Sequence, residues 1–225
     1  LANRPQTSLN LALGSALVRL ALPVLAVAVG ATVDARDLGL LQWLSLPAWA
    51  QILAGVVLLD LAIYWQHRVF HRVPLLWRLH RMHHSDTEFE VSTAIRFHPL
   101  EIALSMLIKI ALVAALGVPA VGVLLFEILL NATALFSHAD LRLPPSLDRA
   151  VRSVLVTPDM HRIHHSVVVV ETNSNYGFCL SLWDRLFASY RARPAGDDQL
   201  MPIGIERFRD AQDQSWWRLL GQPLR

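Results

Sequence analysis

The chain has 225 residues, of which 54% are hydrophobic and 17% charged, and its formal net charge is +2. Soluble domains carry about a quarter charged residues, so this composition indicates a membrane protein. The small net charge, with no basic run interleaved with aromatic residues, argues against a nucleic-acid partner. The single cysteine, Cys179, excludes an intrachain disulfide and sites built from several thiolates.

Four apolar stretches follow one another along the chain, each close to the ~20 residues that cross a bilayer. They run over Leu9–Ala31, Leu46–Trp65, Pro99–Gly117 and Pro119–Phe136. The connection between the last two is so short that they predict a tight helical hairpin. We therefore expect an all-α fold: an integral membrane helical bundle of about four transmembrane helices.

Arginine placement predicts the orientation of these spans. Arginines cluster after the second and fourth spans, whereas the connections on the opposite side carry few charges. Because short basic segments remain in the cytoplasm, we expect these segments and both chain termini on the cytoplasmic side.

Ionisable residues occur inside the predicted spans, at Asp60, Glu101, Lys109 and Glu127. A charge in a bilayer is costly unless it is paired or faces a cavity, so each is a functional candidate. Glu101 lies close enough to the predicted interface to be simply solvated. Asp60 precedes His67 by seven residues, two helical turns on the same face.

The ten histidines form a pattern of repeated boxes. His67 and His71 lie in "HRVFH", His80, His83 and His84 in "HRMHH", and His161, His164 and His165 in "HRIHH". On a helix, residues three and four apart share a face, so each box directs several imidazoles to one place. Imidazole is the commonest metal ligand and suits iron, zinc and copper.

Eight imidazoles are too many for one ion, so the boxes predict a dimetal site. Neutral ligands leave the ions much of their charge, which favours redox metals that bind dioxygen. Asp60, Asp86 and Asp159 are candidates to orient histidine Nδ1–H groups. His138, just past the fourth span, and His98, at the start of the third, are further candidate ligands. The alternative for each is a hydrogen-bonded histidine at the membrane interface.

Longer motifs surround the boxes: "LDLAIYWQHRVFH", "LWRLHRMHHSD", "FHPLE", "FSHADLRLP", "VTPDMHRIHHS" and "ETNSNYGFCLSLWDRLFASYR". With them the chain resembles bacterial members of the fatty acid hydroxylase/sterol desaturase superfamily, over residues 59–191. The resemblance implies a single membrane domain over residues 1–225 in a bacterial inner membrane. It also implies that segments 66–98 and 138–225 form a cytosolic helical cap that holds the metals.

The resemblance further implies a di-iron oxygenase that uses O₂ to hydroxylate or desaturate a lipid such as a fatty acyl chain or sterol. Zinc is the alternative metal in the purified protein. Electrons would come from a separate ferredoxin- or cytochrome-type donor with its reductase. By position the eight box histidines inherit the ligand role, as does His138. Some members carry a histidine where Ala134 stands here, so one ligand is either missing or supplied by His98. Asn175 and Tyr176 would shape the pocket, although a purely structural Asx-type turn is equally compatible.

Two other functions remain open from the residues alone. The histidines could hold zinc in a membrane hydrolase, or bind metal without catalysis. Zinc hydrolases commonly place a glutamate beside the ligands, as in H-E-x-x-H, and none stands between these histidines. Transporters place their ligands near the bilayer midplane, whereas these histidines lie at span ends.

Overall fold

The computed structural model describes residues 23–196 and 201–225. Regular structure in these residues is helical, apart from two isolated β-bridges, which confirms the all-α prediction. In chain order the α-helices are α1 (23–36), α2 (Leu40–Trp43), α3 (Ala48–Arg72), α4 (Pro74–His84), α5 (Pro99–Leu116), α6 (Ala120–Ser137), α7 (Pro145–Val151), α8 (Pro158–His164), α9 (Val169–Thr172), α10 (Leu182–Leu186) and α11 (Trp216–Leu220), with 3₁₀ turns at Val91–Ile95 and Gln222–Leu224.

Three helices of the described residues, α3, α5 and α6, are long and apolar enough to cross a membrane. They correspond to the second, third and fourth predicted spans. Most of the first predicted span lies outside the described residues. Only its last part is described, and it lies within α1. The count of four spans therefore stays a prediction.

Helix α3 is longer than predicted, and this extension places two histidines. It continues past Trp65 to Arg72 and ends where Val73 precedes Pro74. The residue before a proline disfavours the α conformation, so the helix stops there. As a result His67 and His71 lie on the same rigid element as the span itself.

The outside and inside of the bundle both carry apolar side chains. Trp49, Leu53 and Leu107 are more than half exposed on α3 and α5. Leu59 on α3 and Phe126 on α6 are fully buried in the core. A helical surface that is apolar all round is stable in lipid and would be unfavourable in water.

The α5–α6 hairpin is closed by glycines. Gly117 ends α5 in the left-handed conformation with φ 70°, and Gly39, φ 90°, packs directly on it. A Cβ on Gly39 would lie 2.4 Å from the Gly117 nitrogen. Only glycine permits both this backbone conformation and this approach.

The ionisable groups of the spans are partnered inside the protein. Lys109 Nζ on α5 lies 2.5 Å from Glu127 Oε1 on α6. Asp60 accepts hydrogen bonds from the backbone nitrogens of Cys179 and Leu180 and from Trp183 Nε1. Asp60 thus anchors the segment 179–183 to α3 and does not orient a histidine ring, which corrects the role expected for it.

Candidate metal centre

Nine histidines converge at the end of the bundle where α3 ends, α5 begins and α6 ends. They form two groups, in each of which the candidate ligand atoms all lie within 4.8 Å of one another. The first group is His67, His71, His80, His84 and His164; the second is His83, His138, His161 and His165. His71 is half-buried, and the other eight are buried.

Helix periodicity explains how each three-histidine box serves both groups. Residues four apart point the same way on a helix, and a residue three positions on is rotated away from the first. On α4, His80 and His84 join the first group and His83 the second. At α8 the division is reversed: His161 and His165 join the second group and His164 the first.

Four of these rings are held through Nδ1 by acceptors outside the groups. His67 Nδ1 donates to the Tyr176 carbonyl at 2.8 Å, and His164 Nδ1 to the Ser174 carbonyl at 2.7 Å. His138 Nδ1 donates to the Ala134 carbonyl at 2.8 Å. His80 Nδ1 lies 2.6 Å from Glu101 Oε1. A proton fixed on Nδ1 leaves the Nε2 lone pair free for a metal.

The Nε2 atoms then face one another. His67 Nε2 lies 3.0 Å from His80 Nε2 and 3.1 Å from His164 Nε2. In the second group, His138 Nε2 lies 3.2 Å from His83 Nε2 and 3.1 Å from His161 Nε2. Lone pairs facing at these distances repel, and two nitrogens that bind one ion at ~2.0–2.1 Å lie about this far apart.

Several buried ring nitrogens of the two groups also have no hydrogen-bond partner. They include both nitrogens of His84 and both of His165. A buried polar group without a partner costs free energy, and native proteins rarely leave it so. The donor set therefore fits two metal ions, one in each group.

Burial and mutual repulsion lower the pKa of several of these histidines. Burial, followed by repulsion from neighbouring imidazoles such as His138, holds the pKa of His83 well below its usual range. The same causes lower the pKa of His84, His161 and His165. Burial lowers the pKa of His164 to about 3. Only the neutral ring can donate a lone pair to a metal, so the groups are ready to bind at neutral pH.

His98, the proposed substitute ligand, lies outside both groups. Its Nδ1 accepts from the Leu100 backbone nitrogen at 3.2 Å, which caps the first turn of α5. Its Nε2 lies 3.1 Å from the Leu220 carbonyl. The structure thus favours the hydrogen-bonded alternative for His98 and brings His138 into the second group.

Asp86 and Asp159 also differ from their expected role. Asp86 accepts from the Thr93 hydroxyl at 3.0 Å and lies 3.5 Å from Arg96 Nη1, so it stabilises the loop that follows α4. Asp159 lies in the first turn of α8, where burial and the nearby Asp148 raise its pKa. The carboxylate that meets a histidine ring is Glu101.

Glu101 is the residue that sequence reasoning undervalued. It was a functional candidate for which solvation at the interface was the alternative, and its side chain is only 5% exposed and contacts His80. The available signal was its position: an acidic residue on the first turn of a span that begins at Pro99. In the first turn of α5, Glu101 lies at the end of the bundle where the histidines converge.

Asn175 and Tyr176 form a rigid turn over the first group. Asn175, with φ 52°, donates to the Met160 carbonyl and accepts from Arg191 N. The Tyr176 ring meets His67 and His164 edge-on, each at 5.7 Å between centroids. Both expected roles are compatible with this turn, because it is structural and also covers the histidines.

Asp184 holds that turn in place. Its carboxylate accepts from the backbone nitrogens of Tyr176 and Gly177, both at 2.8 Å, and from the Ser189 hydroxyl at 2.7 Å. Asp184 and Tyr176 are buried. A Cβ on Gly177 would lie 2.9 Å from Asp184 Oδ2, so this position requires glycine. Asp184 thereby fixes the carbonyl that orients His67.

Two cavities reach the first group. One, of about 120 Å³, extends among α3, α5 and α6 and has on its walls His67, His80, Ile102, Met106, Lys109 and Glu127. The other, of about 270 Å³, lies between α4 and residues 205–208 and reaches His71. The cavity of about 120 Å³ lies among the apolar spanning helices, on the bilayer side of the histidines.

Glu101→Gln tests the orientation of His80. Glutamine retains a neutral acceptor for Nδ1–H but removes the charge that makes Nε2 a stronger donor. We expect metal affinity at the first group to fall roughly 10–100-fold, the usual cost of losing such a partner. Chelator-competition titration measures this. Asp210→Asn, an exposed carboxylate change in the cap, should leave affinity unaltered, and equal losses in both variants would contradict the assignment.

Membrane-length helices with two histidine groups at one end define a class: integral membrane proteins with a histidine-built candidate dimetal centre. The particular family follows from comparison with known proteins. The chain belongs to the fatty acid hydroxylase family, whose model matches residues 52–189. This range contains all nine histidines of the two groups.

The chain is similar to curated members of this superfamily. It is 35% identical over 172 residues to ornithine lipid hydroxylase OlsE of Rhizobium tropici, which covers 73% of this chain and 47% of the relative. It is 31% identical over 157 residues to alkylglycerol monooxygenase of Homo sapiens, covering 68% and 32%. The chain thus spans less than half the length of these relatives. No solved structure matches it.

Proposed function

We propose that this protein is a membrane-bound di-iron oxygenase that hydroxylates a C–H bond of a lipid. The observation that carries the proposal is the pair of histidine groups at the end of a cavity among apolar helices. The relatives, an ornithine lipid hydroxylase and an alkylglycerol monooxygenase, support hydroxylation over desaturation. We place the histidine end in the cytoplasm of a bacterial inner membrane, as the arginine pattern predicts.

The metals would be held by the nine histidines of the two groups. When bound, iron supplies the activation of O₂ that cleavage of an unactivated C–H bond requires. The balanced reaction takes the lipid C–H, O₂, two electrons and two protons to the hydroxylated lipid and water. A separate electron-donor protein supplies the electrons, since the sequence carries no dinucleotide fingerprint or cysteine cluster.

The protein's own residues position the ligands and the lipid. Tyr176, Ser174, Ala134 and Glu101 hold the rings through Nδ1. The apolar walls provided by Ile102 and Met106 hold the lipid chain and exclude water. Oxidation takes place where this cavity meets His67 and His80.

The proposal is tested by metal content, Mössbauer spectroscopy and lipid analysis. The protein is purified without oxygen, supplied with iron, and compared before and after O₂. We expect about two irons per chain that react with O₂, as in helical di-iron proteins. Membranes of a host that expresses the protein should contain a lipid heavier by one oxygen atom. Tightly held zinc that iron cannot replace, with no oxygen reaction, would contradict the proposal.

A further inference from the structure

The cavity of about 270 Å³ between α4 and residues 205–208, hereafter the cap-side cavity, has no part in the lipid binding proposed above. His71 lies on its wall, one turn farther along α3 than His67. The cavity among α3, α5 and α6 instead reaches His67 and His80. The same histidine group is therefore approached from two sides, from among the spanning helices and from the surface of the cap.

Trp77 lies beside His71 on the wall of the cap-side cavity. Its ring centroid is 4.9 Å from that of His71 and 5.3 Å from that of His84. An electron that arrives at this cavity therefore meets an aromatic ring adjacent to two members of the first group. Trp77 is half-buried, so a partner at the surface can approach it.

The cavity mouth is positively charged. Arg81 and Arg207 line it together with one carboxylate, Glu206, and Arg78, exposed on α4, follows Trp77 directly, so the net charge here is positive. Such a cluster of like charges attracts and orients an anionic partner.

Apolar surface accompanies this charge. Val169, on the cavity wall, is 67% exposed, and its neighbour Val170 is 56% exposed. Apolar side chains beside arginine and tryptophan are typical of protein–protein contact surfaces. A small inorganic anion would gain nothing from the valines, so the combination favours a protein.

We infer that the surface formed by Trp77, Arg78, Val169 and Arg207, hereafter the donor surface, docks a one-electron carrier protein with an acidic face. This inference rests on the proposed function and gives the required electron donor a place and a charge. Each encounter would oxidise the carrier by one electron, which would enter the protein at Trp77, beside two histidines that would hold the metals. Two encounters supply the two electrons of one hydroxylation, and solvent supplies the protons.

The test measures binding of a plant-type two-iron ferredoxin, an acidic carrier, to the full chain in detergent, with and without metal. The double variant Arg78→Glu/Arg207→Glu reverses two charges of the donor surface. Arg36→Glu/Arg149→Glu makes the same total change at exposed arginines elsewhere. We expect the Kd of the first variant to rise about tenfold or more, because opposed like charges cost several kcal/mol. The control should stay close to the wild type.

A second variant, Trp77→Leu, separates electron entry from docking. Stopped-flow reduction of the iron-loaded protein, measured at saturating ferredoxin so that any change in Kd is removed from the comparison, should slow, whereas reduction with dithionite should stay unchanged. The inference is overturned if ferredoxin does not bind the wild type, if both double variants weaken binding equally, or if Trp77→Leu leaves ferredoxin-driven reduction unchanged. These readouts need no lipid product, so failure of the proposed function is seen separately, as iron reduction and docking without lipid oxidation.

Discussion

His84→Ala should abolish lipid oxidation and release metal from the first histidine group. Both ring nitrogens of His84 are buried without a hydrogen-bond partner, so no hydrogen bond within the protein accounts for this buried imidazole. Loss of an outer partner of a metal ligand already costs roughly 10–100-fold in affinity. Removal of the ligand itself should exceed the upper end of that range. Metal analysis after dialysis and product analysis by mass spectrometry measure the two effects.

His165→Ala is the corresponding change in the second group, since both of its nitrogens also lack partners. The matched control is His98→Asn, because asparagine retains an acceptor at the start of α5 and His98 lies outside both groups. The metal-free forms should unfold at nearly the same denaturant concentration as the wild type. A large loss of stability with normal metal content would show that His84 and His165 are structural.

Asp184→Ala should have the largest effect on stability. The change leaves two buried backbone N–H groups, of Tyr176 and Gly177, and the Ser189 hydroxyl without the carboxylate. Each unsatisfied buried group costs about 1–3 kcal/mol, so we expect a loss of about 3–5 kcal/mol in the free energy of unfolding. Denaturant titration in detergent, followed by tryptophan fluorescence, measures it.

The same variant should also weaken metal binding at the first group. The Tyr176 carbonyl that accepts from His67 Nδ1 belongs to the turn that Asp184 holds. Asp140→Ala is the control: its side chain is 75% exposed and pairs only at the surface with Arg162, so the loss should be within about 1 kcal/mol. If Asp184→Ala loses stability while His67 keeps its metal, the turn does not orient the ligand.

Several features follow from local rules and were therefore predictable. The α5–α6 hairpin was expected within one residue at each helix end, because two apolar runs of membrane length are separated by a glycine and a proline. The box spacing predicted a dimetal site, but it also predicted that each box directs its imidazoles to one place. The structure instead divides each three-histidine box between the two groups. Helix α3 continues seven residues beyond the predicted span, because a helix can continue after its apolar stretch has ended.

Local rules therefore account for three features: the helical class, three helices of membrane length, and the histidines in each box. Tertiary structure decided which group each histidine joins, that His138 converges and His98 caps a helix, and that Glu101 rather than Asp60 meets a ring. These outcomes depend on contacts between distant residues, such as His67 with Tyr176 or Asp60 with Trp183. Helix periodicity determines the direction in which a side chain points from its own helix, but the packing of the helices determines which residue that side chain contacts.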